Sequence, residues 1–132
     1  MSAPLPISLC VITRDAAAQL DACLASAAFA DEQVVVDSGS ADDTVEIARR
    51  RGARVIEQRW LGYGAQKNFA VAQATHDWVL CLDADERLSP ELADSIRAAM
   101  AGPPAATAFR TARCNRFLGR WLRHGEGYPD WN

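Results

Sequence analysis

The sequence predicts an α/β protein with a mainly parallel sheet and helices on both faces. Three observations lead to this prediction. Short apolar runs alternate along the chain with segments of helical periodicity. The runs are apolar at successive positions rather than at every second one, as in strands that are covered on both faces. The connections between them are short, which favours right-handed crossovers between parallel strands.

The first strand and helix are predicted near the N-terminus. Ile7–Thr13 is a fully apolar run with Ile and Val, which indicates a buried strand. Asp15 is expected to cap the following helix, in which Leu20, Leu24 and Ala27 or Ala28 recur at helical spacing. This segment therefore forms the first strand–helix unit.

The second strand–helix unit contains an acidic strand end. The strand Gln33–Val36 runs into Asp37, and a turn with Ser38-Gly39-Ser40 follows. Ser40 or a following Asp is expected to cap a helix over Thr44–Arg51, which Gly52 ends. By the same criteria the rest of the chain predicts, in order, a strand Arg54–Glu57, a helix Ala65–Ala74, a strand Asp77–Leu82, a helix that starts at Ser89-Pro90 and runs to about Ala101, and a fifth strand Ala108–Phe117.

Composition and charge exclude several classes of protein. The chain has 132 residues, of which 49% are hydrophobic and 23% charged, an ordinary globular profile for one domain or part of one. Its net charge of −3 argues against general nucleic-acid binding. No apolar run reaches the roughly 18 residues of a membrane span, and the first residues contain no recognisable secretory signal.

The cysteines favour a reducing environment. The sequence contains 4 Cys and 2 His without a CxxC pair, which argues against a structural zinc site. Cys10 and Cys81 lie within apolar runs and are expected to be buried free thiols in a reducing cytosol.

Acidic side chains cluster where predicted strands end. Ligands of open α/β sheets bind at the carboxyl ends of the strands. Asp37 follows the second strand, Asp83 and Asp85 follow the fourth, and Thr13 and Arg14 end the first. One carboxylate of the Asp83/Asp85 pair could bind Mg²⁺ or Mn²⁺, and the other could bind a ribose hydroxyl. Such an arrangement would suit a nucleoside diphosphate as the ligand. The alternative for Asp83 and Asp85 is an acidic turn that binds no ligand. The alternative for Asp37 is a strand–helix turn with a helix cap, which needs no ligand either.

Basic residues could meet anionic groups. Lys67 follows a glycine-containing loop and could lie near a diphosphate, or simply at a solvated helix start. The arginines between Arg110 and Arg123 are interleaved with apolar residues and could meet an anionic acceptor or a lipid surface. The alternative is a solvated basic face. His124 is expected to be an ordinary surface histidine.

The motifs together resemble the N-terminal half of the family 2 inverting glycosyltransferases. The resemblance rests on Ile7–Thr13, on VVVDSGSADDT at 34–44, on GYGAQKNFA at 62–70 and on WVLCLDADE at 78–86. It implies the GT-A fold, a Rossmann-like sheet. Within the family the chain looks similar to glucosyltransferases of the lipopolysaccharide core, partly through HGEGYPD at 124–130.

The resemblance also implies roles for particular residues. Asp37 would contact the base of the nucleotide, Asp83 would lie at its ribose or diphosphate, and Asp85 would bind the divalent metal. The other three implied donor-site residues are Thr13, Arg14 and Lys67. The chain departs from the family pattern after Thr13, where Arg14-Asp15 stands in place of the usual Asn.

The resemblance further implies what the reaction uses. The donor would be UDP-glucose or another UDP-sugar, the acceptor a cell-envelope glycan such as the lipopolysaccharide core, and the location the cytoplasm or the inner face of the membrane. The general base of the family lies well after the DxD motif, so residues 1–132 are expected to form the donor-binding part of a longer enzyme. Glu126 and Asp130 are the late acids of this chain and are weak candidates for the base.

Two alternatives of other kinds remain. A sugar-nucleotide nucleotidyltransferase has a related sheet, but it needs a Gly-rich basic loop where this chain has Thr13-Arg14-Asp15-Ala16-Ala17. A catalytically inactive nucleotide-binding module would share the donor site without turnover. Donor binding and donor hydrolysis separate these hypotheses.

Overall fold

The computed structural model describes residues 3–103 and the strand pairs 112–113, 116–117, 120–121 and 130–131. The chain divides into two compact units, Met1–Met100 and Ala101–Asn132. No helix in the described part of the chain is long and apolar enough to span a membrane.

The first unit alternates strands and helices throughout. Its elements are β1 (Leu5–Thr13), α1 (Leu20–Ser26), β2 (Ala30–Asp37), α2 (Thr44–Arg50), β3 (Arg54–Glu57), α3 (Tyr63–Ala72), β4 (Trp78–Cys81) and α4 (Pro90–Ala99). The four strands form one parallel sheet in the order β3-β2-β1-β4. The predicted fold class is therefore confirmed.

Both faces of the sheet are covered because the central strands are apolar on both sides. On one face Leu9 and Val11 of β1 pack with Leu20 and Leu24 of α1, in a cluster that also contains residues of α2 and α4. On the other face Cys10 packs with Ala70 of α3. Leu24 is fully buried, and removing such a side chain costs about 2–5 kcal/mol.

The predicted cap of α1 differs from the observed one, and the predicted cap of α2 is met in position only. Asp15 does not cap α1, whose N-cap residue is Gln19, because Asp15 lies four residues earlier and bonds to another loop. For α2 the prediction is Ser40 or a following Asp: the side chain of Ser40 contacts Asp37, and the N-cap residue is Asp43, whose side chain makes no capping hydrogen bond. The cap at Ser89 is as predicted: its side chain accepts a hydrogen bond from the amide of Leu92.

Cys81 contradicts the prediction of a buried thiol. Cys10 is buried, but Cys81 is exposed, because β4 is the last strand on its side of the sheet and is only partly covered. Burial raises the pKa of the Cys10 thiol to about 12, so this cysteine is a core residue and not a reactive one.

The second unit contains short antiparallel strands. β5 (Ala112–Arg113) pairs with β8 (Asp130–Trp131), and β6 (Arg116–Phe117) pairs with β7 (Arg120–Trp121). The prediction of a strand over Ala108–Phe117 agrees with β5 and β6, which both lie within that range, and its other residues lie outside the described part of the chain. Its two described segments pair with residues further along the chain, a preference that local periodicity does not reveal.

Candidate functional site

The predicted donor-site residues flank one strand at the carboxyl edge of the sheet. Thr13, the last residue of β1, is the register partner of Asp37, the last residue of β2. On the other side of β1, the amide of Leu82 donates to the carbonyl of Cys10 at 3.3 Å, and Asp83 follows. Neighbouring strands lie about 4.8 Å apart, so β2 and β4 are separated by about 10 Å.

This edge is also the topological switch point of the sheet. The chain adds β2 and β3 on one side of β1 and then crosses to add β4 on the other. In open α/β sheets ligands bind where the order of the strands changes direction. Asp37 and Asp83 therefore lie on the two sides of the position at which a ligand is expected.

Asp37 is a buried carboxylate with a full set of hydrogen bonds. Its side chain accepts from the hydroxyls of Thr13 (2.7 Å) and Ser40 (2.6 Å) and from the amides of Gly39 (3.1 Å) and Ser40 (2.9 Å). The residue is only 2% exposed. Burial raises the pKa of this carboxyl, but the hydrogen bonds from Ser40, Thr13 and Gly39 outweigh it and hold the pKa below its usual range.

The loop after β1 is tied to the loop after β2. The carboxylate of Asp15 accepts from the amide of Ala41 at 2.7 Å, and Asp15 has a φ of 50°, in the left-handed region. Three successive amides of the first loop donate to side chains of the second: Asp15 N to Ser40 Oγ (2.8 Å), Ala16 N to Thr44 Oγ1 (2.8 Å) and Ala17 N to Asp42 Oδ2 (3.1 Å). The two loops therefore form one rigid rim.

Arg14 is held at this rim by its fixed neighbours. Thr13 and Asp15 on either side are both bonded to the second loop. Arg14 itself is exposed, and within residues 3–103 its guanidinium has no ion-pair partner. Its charge is therefore available to an anion at the carboxyl edge.

Lys67 and Asp83 form an ion pair on the other side of β1. The Lys67 Nζ lies 3.0 Å from Asp83 Oδ1, and the two side chains are 46% and 41% exposed. An ion pair this exposed contributes no more than about 1 kcal/mol, so a bound anion could replace Asp83 as the partner of Lys67 at low cost.

The acidic turn after β4 is shaped by Glu86, whose role the sequence did not predict. The amide of Asp83 donates to Glu86 Oε1 at 2.8 Å, while Asp85 remains exposed. Burial raises the pKa of the Cys23 thiol to about 12, with further increases from the negative charges of Glu86, Asp85 and Asp83. The acidic turn therefore lies next to α1, with Asp85 free of the hydrogen bonds that engage Asp37.

The carboxylates after β4 suit a metal ion that takes some of its ligands from the protein and the others from a bound substrate. Residues 3–103 contain no group of three or more His, Cys, Asp or Glu side chains arranged to hold a metal ion. Mg²⁺ and Mn²⁺ are commonly bound through one or two carboxylates together with phosphate oxygens. Asp85 and Asp83 fit this type of site and do not fit a cation held by protein ligands alone.

A small hollow lies below the edge, among the described residues of the first unit. This hollow of ≈ 10 Å³ lies between β1, β4 and α3 and is lined by Cys10, Ile12, Lys67, Ala70, Cys81 and Leu82. This volume holds about one water molecule. This hollow is therefore too small for a nucleotide.

One of the two candidate base residues lies in a described strand of the second unit and the other does not. Asp130 begins β8, where Arg113 is its register partner. Glu126 and His124 lie outside the described residues, and so do Arg110 and Arg123 at the two ends of the basic stretch. Both candidate bases stay predictions.

Comparison with known proteins shows to which protein family this chain belongs. The family model described as "Glycosyl transferase family 2" matches residues 8–131, and the chain therefore belongs to this family. An uncharacterized glycosyltransferase of Rickettsia felis is 50% identical over 91 residues, which cover 68% of this chain and 32% of that protein. The chain thus spans about a third of the length of such relatives.

Two further similar proteins have names that state an activity. The lipopolysaccharide core biosynthesis glycosyltransferase LpsC of Rhizobium meliloti is 32% identical over 145 residues, covering 96% of this chain and 54% of LpsC. The glucosyl-3-phosphoglycerate synthase of Mycobacterium tuberculosis, solved with Mn²⁺, UDP-glucose and phosphoglyceric acid, is 25% identical with a TM-score of 0.55. That match covers 63% of this chain and 35% of the synthase. The family and the GT-A fold expected from the motifs are both confirmed.

Proposed function

We propose that this chain is the donor-binding part of a glycosyltransferase that uses a nucleotide-sugar, UDP-glucose in the first instance. The observation that carries the proposal is the placement of Asp37 and the Asp83/Asp85 pair on the two sides of β1 at the carboxyl edge. The complex of the mycobacterial synthase with UDP-glucose and Mn²⁺ supports this choice of donor.

Each site residue has a part in holding the donor. The rim that Thr13 and Asp37 build faces the base, and Asp83 is available to a ribose hydroxyl. Lys67, released from Asp83, is placed to neutralise the diphosphate, and Arg14 adds a second cation at the same edge. Charge-assisted bonds to phosphate are short and strong, so these cations favour a diphosphate over an uncharged ligand.

Asp85, with Asp83 beside it, would hold a divalent cation. When bound, Mg²⁺ or Mn²⁺ supplies Lewis-acid stabilisation of the negative charge on a leaving diphosphate. The exposed carboxylate of Asp85 is suited to this role because, unlike that of Asp37, it accepts no side-chain hydrogen bond from residues 3–103.

The acceptor in this proposal is a cell-envelope glycan such as the lipopolysaccharide core, which the similarity to LpsC supports. Transfer proceeds with inversion: an acceptor hydroxyl attacks the anomeric carbon in line with the leaving diphosphate, and a carboxylate removes its proton. Glu126 and Asp130 are the candidates for that carboxylate within this chain. The proposed location is the cytoplasm, at the inner face of the membrane.

Titration calorimetry with UDP tests the donor site. We expect UDP to bind more tightly with Mn²⁺ than without it, and Asp85→Asn to remove this difference. Asp77→Asn is the matched control, since Asp77 is an exposed aspartate before β4, at the opposite edge of the sheet. Equal affinity with and without Mn²⁺ in the unmodified chain would refute the metal role of Asp85.

Turnover separates an enzyme from a binding module. UDP-glucose is incubated with the chain and with the longer protein that contains it, and release of UDP is measured with and without acceptor glycan. The proposal predicts transfer by the longer protein, with an inverted anomeric configuration in the product's NMR spectrum. Binding of UDP without transfer by either protein would instead indicate an inactive nucleotide-binding module.

A further inference from the structure

Two aromatic side chains outside the predicted site form an exposed platform. Trp60 and Tyr63 are 43% and 76% exposed. Their rings meet edge to face, with centroids 4.8 Å apart and an interplanar angle of 89°. We call this pair the aromatic platform. Large aromatic groups are usually covered in a folded protein, so an exposed pair of this kind indicates a binding surface.

A buried glutamine holds the platform in place. Gln66 is fully buried, and its side-chain amide bonds at both ends to the loop that carries the platform. Its Oε1 accepts from the amide of Leu61, and its Nε2 donates to the carbonyl of Gln58, each at 3.1 Å. Gly62 has a φ of 97°, which lets the loop turn into α3. The rings are therefore presented by a fixed loop.

The platform lies next to the donor edge. β3 ends at Glu57, the register partner of Asp37, and the amide of Gln58 donates to the Asp37 carbonyl at 2.9 Å. Trp60 follows two residues later. The platform therefore begins beside the strand end at which the base of the donor is expected.

The platform also lies in line with the cation of the site. Tyr63 and Lys67 are four residues apart on α3, so they share one face of the helix, one turn of about 5.4 Å from each other. Lys67 reaches Asp83. The aromatic platform, the Lys67 cation and the Asp83 carboxylate thus follow one another from the start of α3 to the acidic turn.

We propose that the aromatic platform stacks against the nucleobase of the donor. The inference rests on the proposed function and adds to it the surface that binds the base. It also fits the hydrogen bonding of Asp37. The carboxylate of Asp37 already accepts four hydrogen bonds and has little capacity to accept another from a nucleobase. Stacking on an aromatic ring uses the face of the base and needs no free acceptor.

Affinities for UDP and for ribose 5-diphosphate test this proposal, because the two ligands differ only at C1 of the ribose, where UDP carries the base and ribose 5-diphosphate a hydroxyl. With Mn²⁺ present, we expect the unmodified chain to bind UDP at least about tenfold more tightly than ribose 5-diphosphate. The variant with Trp60→Ala and Tyr63→Ala should lose that preference by weaker UDP binding alone. Trp60→Phe should retain most of it, since it keeps a stacking ring.

Val71→Ala is the matched control, because Val71 is an exposed apolar residue on the same helix, and it should change neither affinity. Thermal melting of every variant shows whether the fold is retained. A double alanine variant that binds UDP as the unmodified chain does would overturn the platform and leave the proposed function standing. Equal loss of both ligands, or a loss seen with UDP-glucose but not with UDP, would also overturn it. Failure of the unmodified chain to bind UDP would overturn the proposed function together with the platform.

Discussion

The hydrogen bonds of Asp37 predict that Asp37→Asn destabilises the first unit in a pH-dependent way. The asparagine keeps an acceptor oxygen for the amides of Gly39 and Ser40, but its NH₂ group replaces the oxygen that accepts from two hydroxyls. A hydrogen bond to a charged group contributes about 1.5–3 kcal/mol, against about 1 kcal/mol for a neutral one. Weakening several such bonds should cost about 2–3 kcal/mol, a large part of a domain stability of 5–15 kcal/mol.

The sign of the pH dependence follows from the lowered pKa of Asp37. A carboxyl whose pKa is lower in the folded than in the unfolded state stabilises the fold above the unfolded pKa, about 3.9. That contribution is lost as pH falls through the folded pKa. The difference in stability between the unmodified chain and Asp37→Asn should therefore be largest near pH 7 and shrink below about pH 4.

Urea unfolding followed by circular dichroism measures this difference. With a slope of about 1–2 kcal/mol/M, a loss of about 2–3 kcal/mol should lower the midpoint at pH 7 by about 1–3 M. Asp43→Asn is the control, because it removes the same charge from an exposed residue whose side chain makes no capping hydrogen bond. A midpoint for Asp37→Asn that is unchanged at pH 7, or lowered equally at pH 7 and pH 3, would refute the reasoning.

Three further predictions concern stability. Burial raises the pKa of Glu32, but hydrogen bonds from Thr75 and Ser8, together with the charge of Arg54, outweigh it and lower the pKa to about 2. Glu32→Gln should therefore cost about 2 kcal/mol at pH 7, after allowance for solvent screening, and this loss should fade between pH 4.5 and 2 in acid-unfolding curves. Ser89→Ala removes the cap on the Leu92 amide and should cost about 1 kcal/mol by urea unfolding; a Ser95→Ala control should change stability less, because Ser95 lies within the helix. Asp15→Ala should cost about 1–2 kcal/mol, because alanine disfavours the left-handed φ and lacks the acceptor for Ala41. Asp15→Asn should lose little, and equal melting temperatures for the two Asp15 variants would contradict this explanation.

Much of the first unit could be predicted from local sequence. Unbroken apolar runs identify β1 and β2, since a strand covered on both faces needs apolar side chains at successive positions. The start of α4 could be predicted from Ser89-Pro90 because capping depends on neighbouring residues alone. The positions of Asp37 and Asp83 at strand ends also follow from the chain, and so does their common edge once the strands are taken as parallel.

Contacts between distant residues could be found only in the tertiary structure. Asp15 bonds to the loop after β2 instead of capping α1, because a partner 26 residues away competes with the local helix. Cys81 lies in an apolar run but is exposed, since burial depends on the position of β4 in the sheet. In the sequence Gln66 looks like an ordinary polar residue of a helix. Only the folded structure shows that it is buried and hydrogen-bonded to the loop that carries Trp60.

The amino-acid sequence by itself determined the alternation of strands and helices and the edge at which chemistry is expected, because periodicity and strand ends are local properties. The tertiary structure decided which carboxylates are engaged in hydrogen bonds and which are exposed to solvent. Asp37 is filled by donors from two loops that meet only in the folded chain, while Asp85 remains exposed. The hydrogen-bonding capacity of a side chain depends on which groups surround it, and those neighbours come from different parts of the sequence.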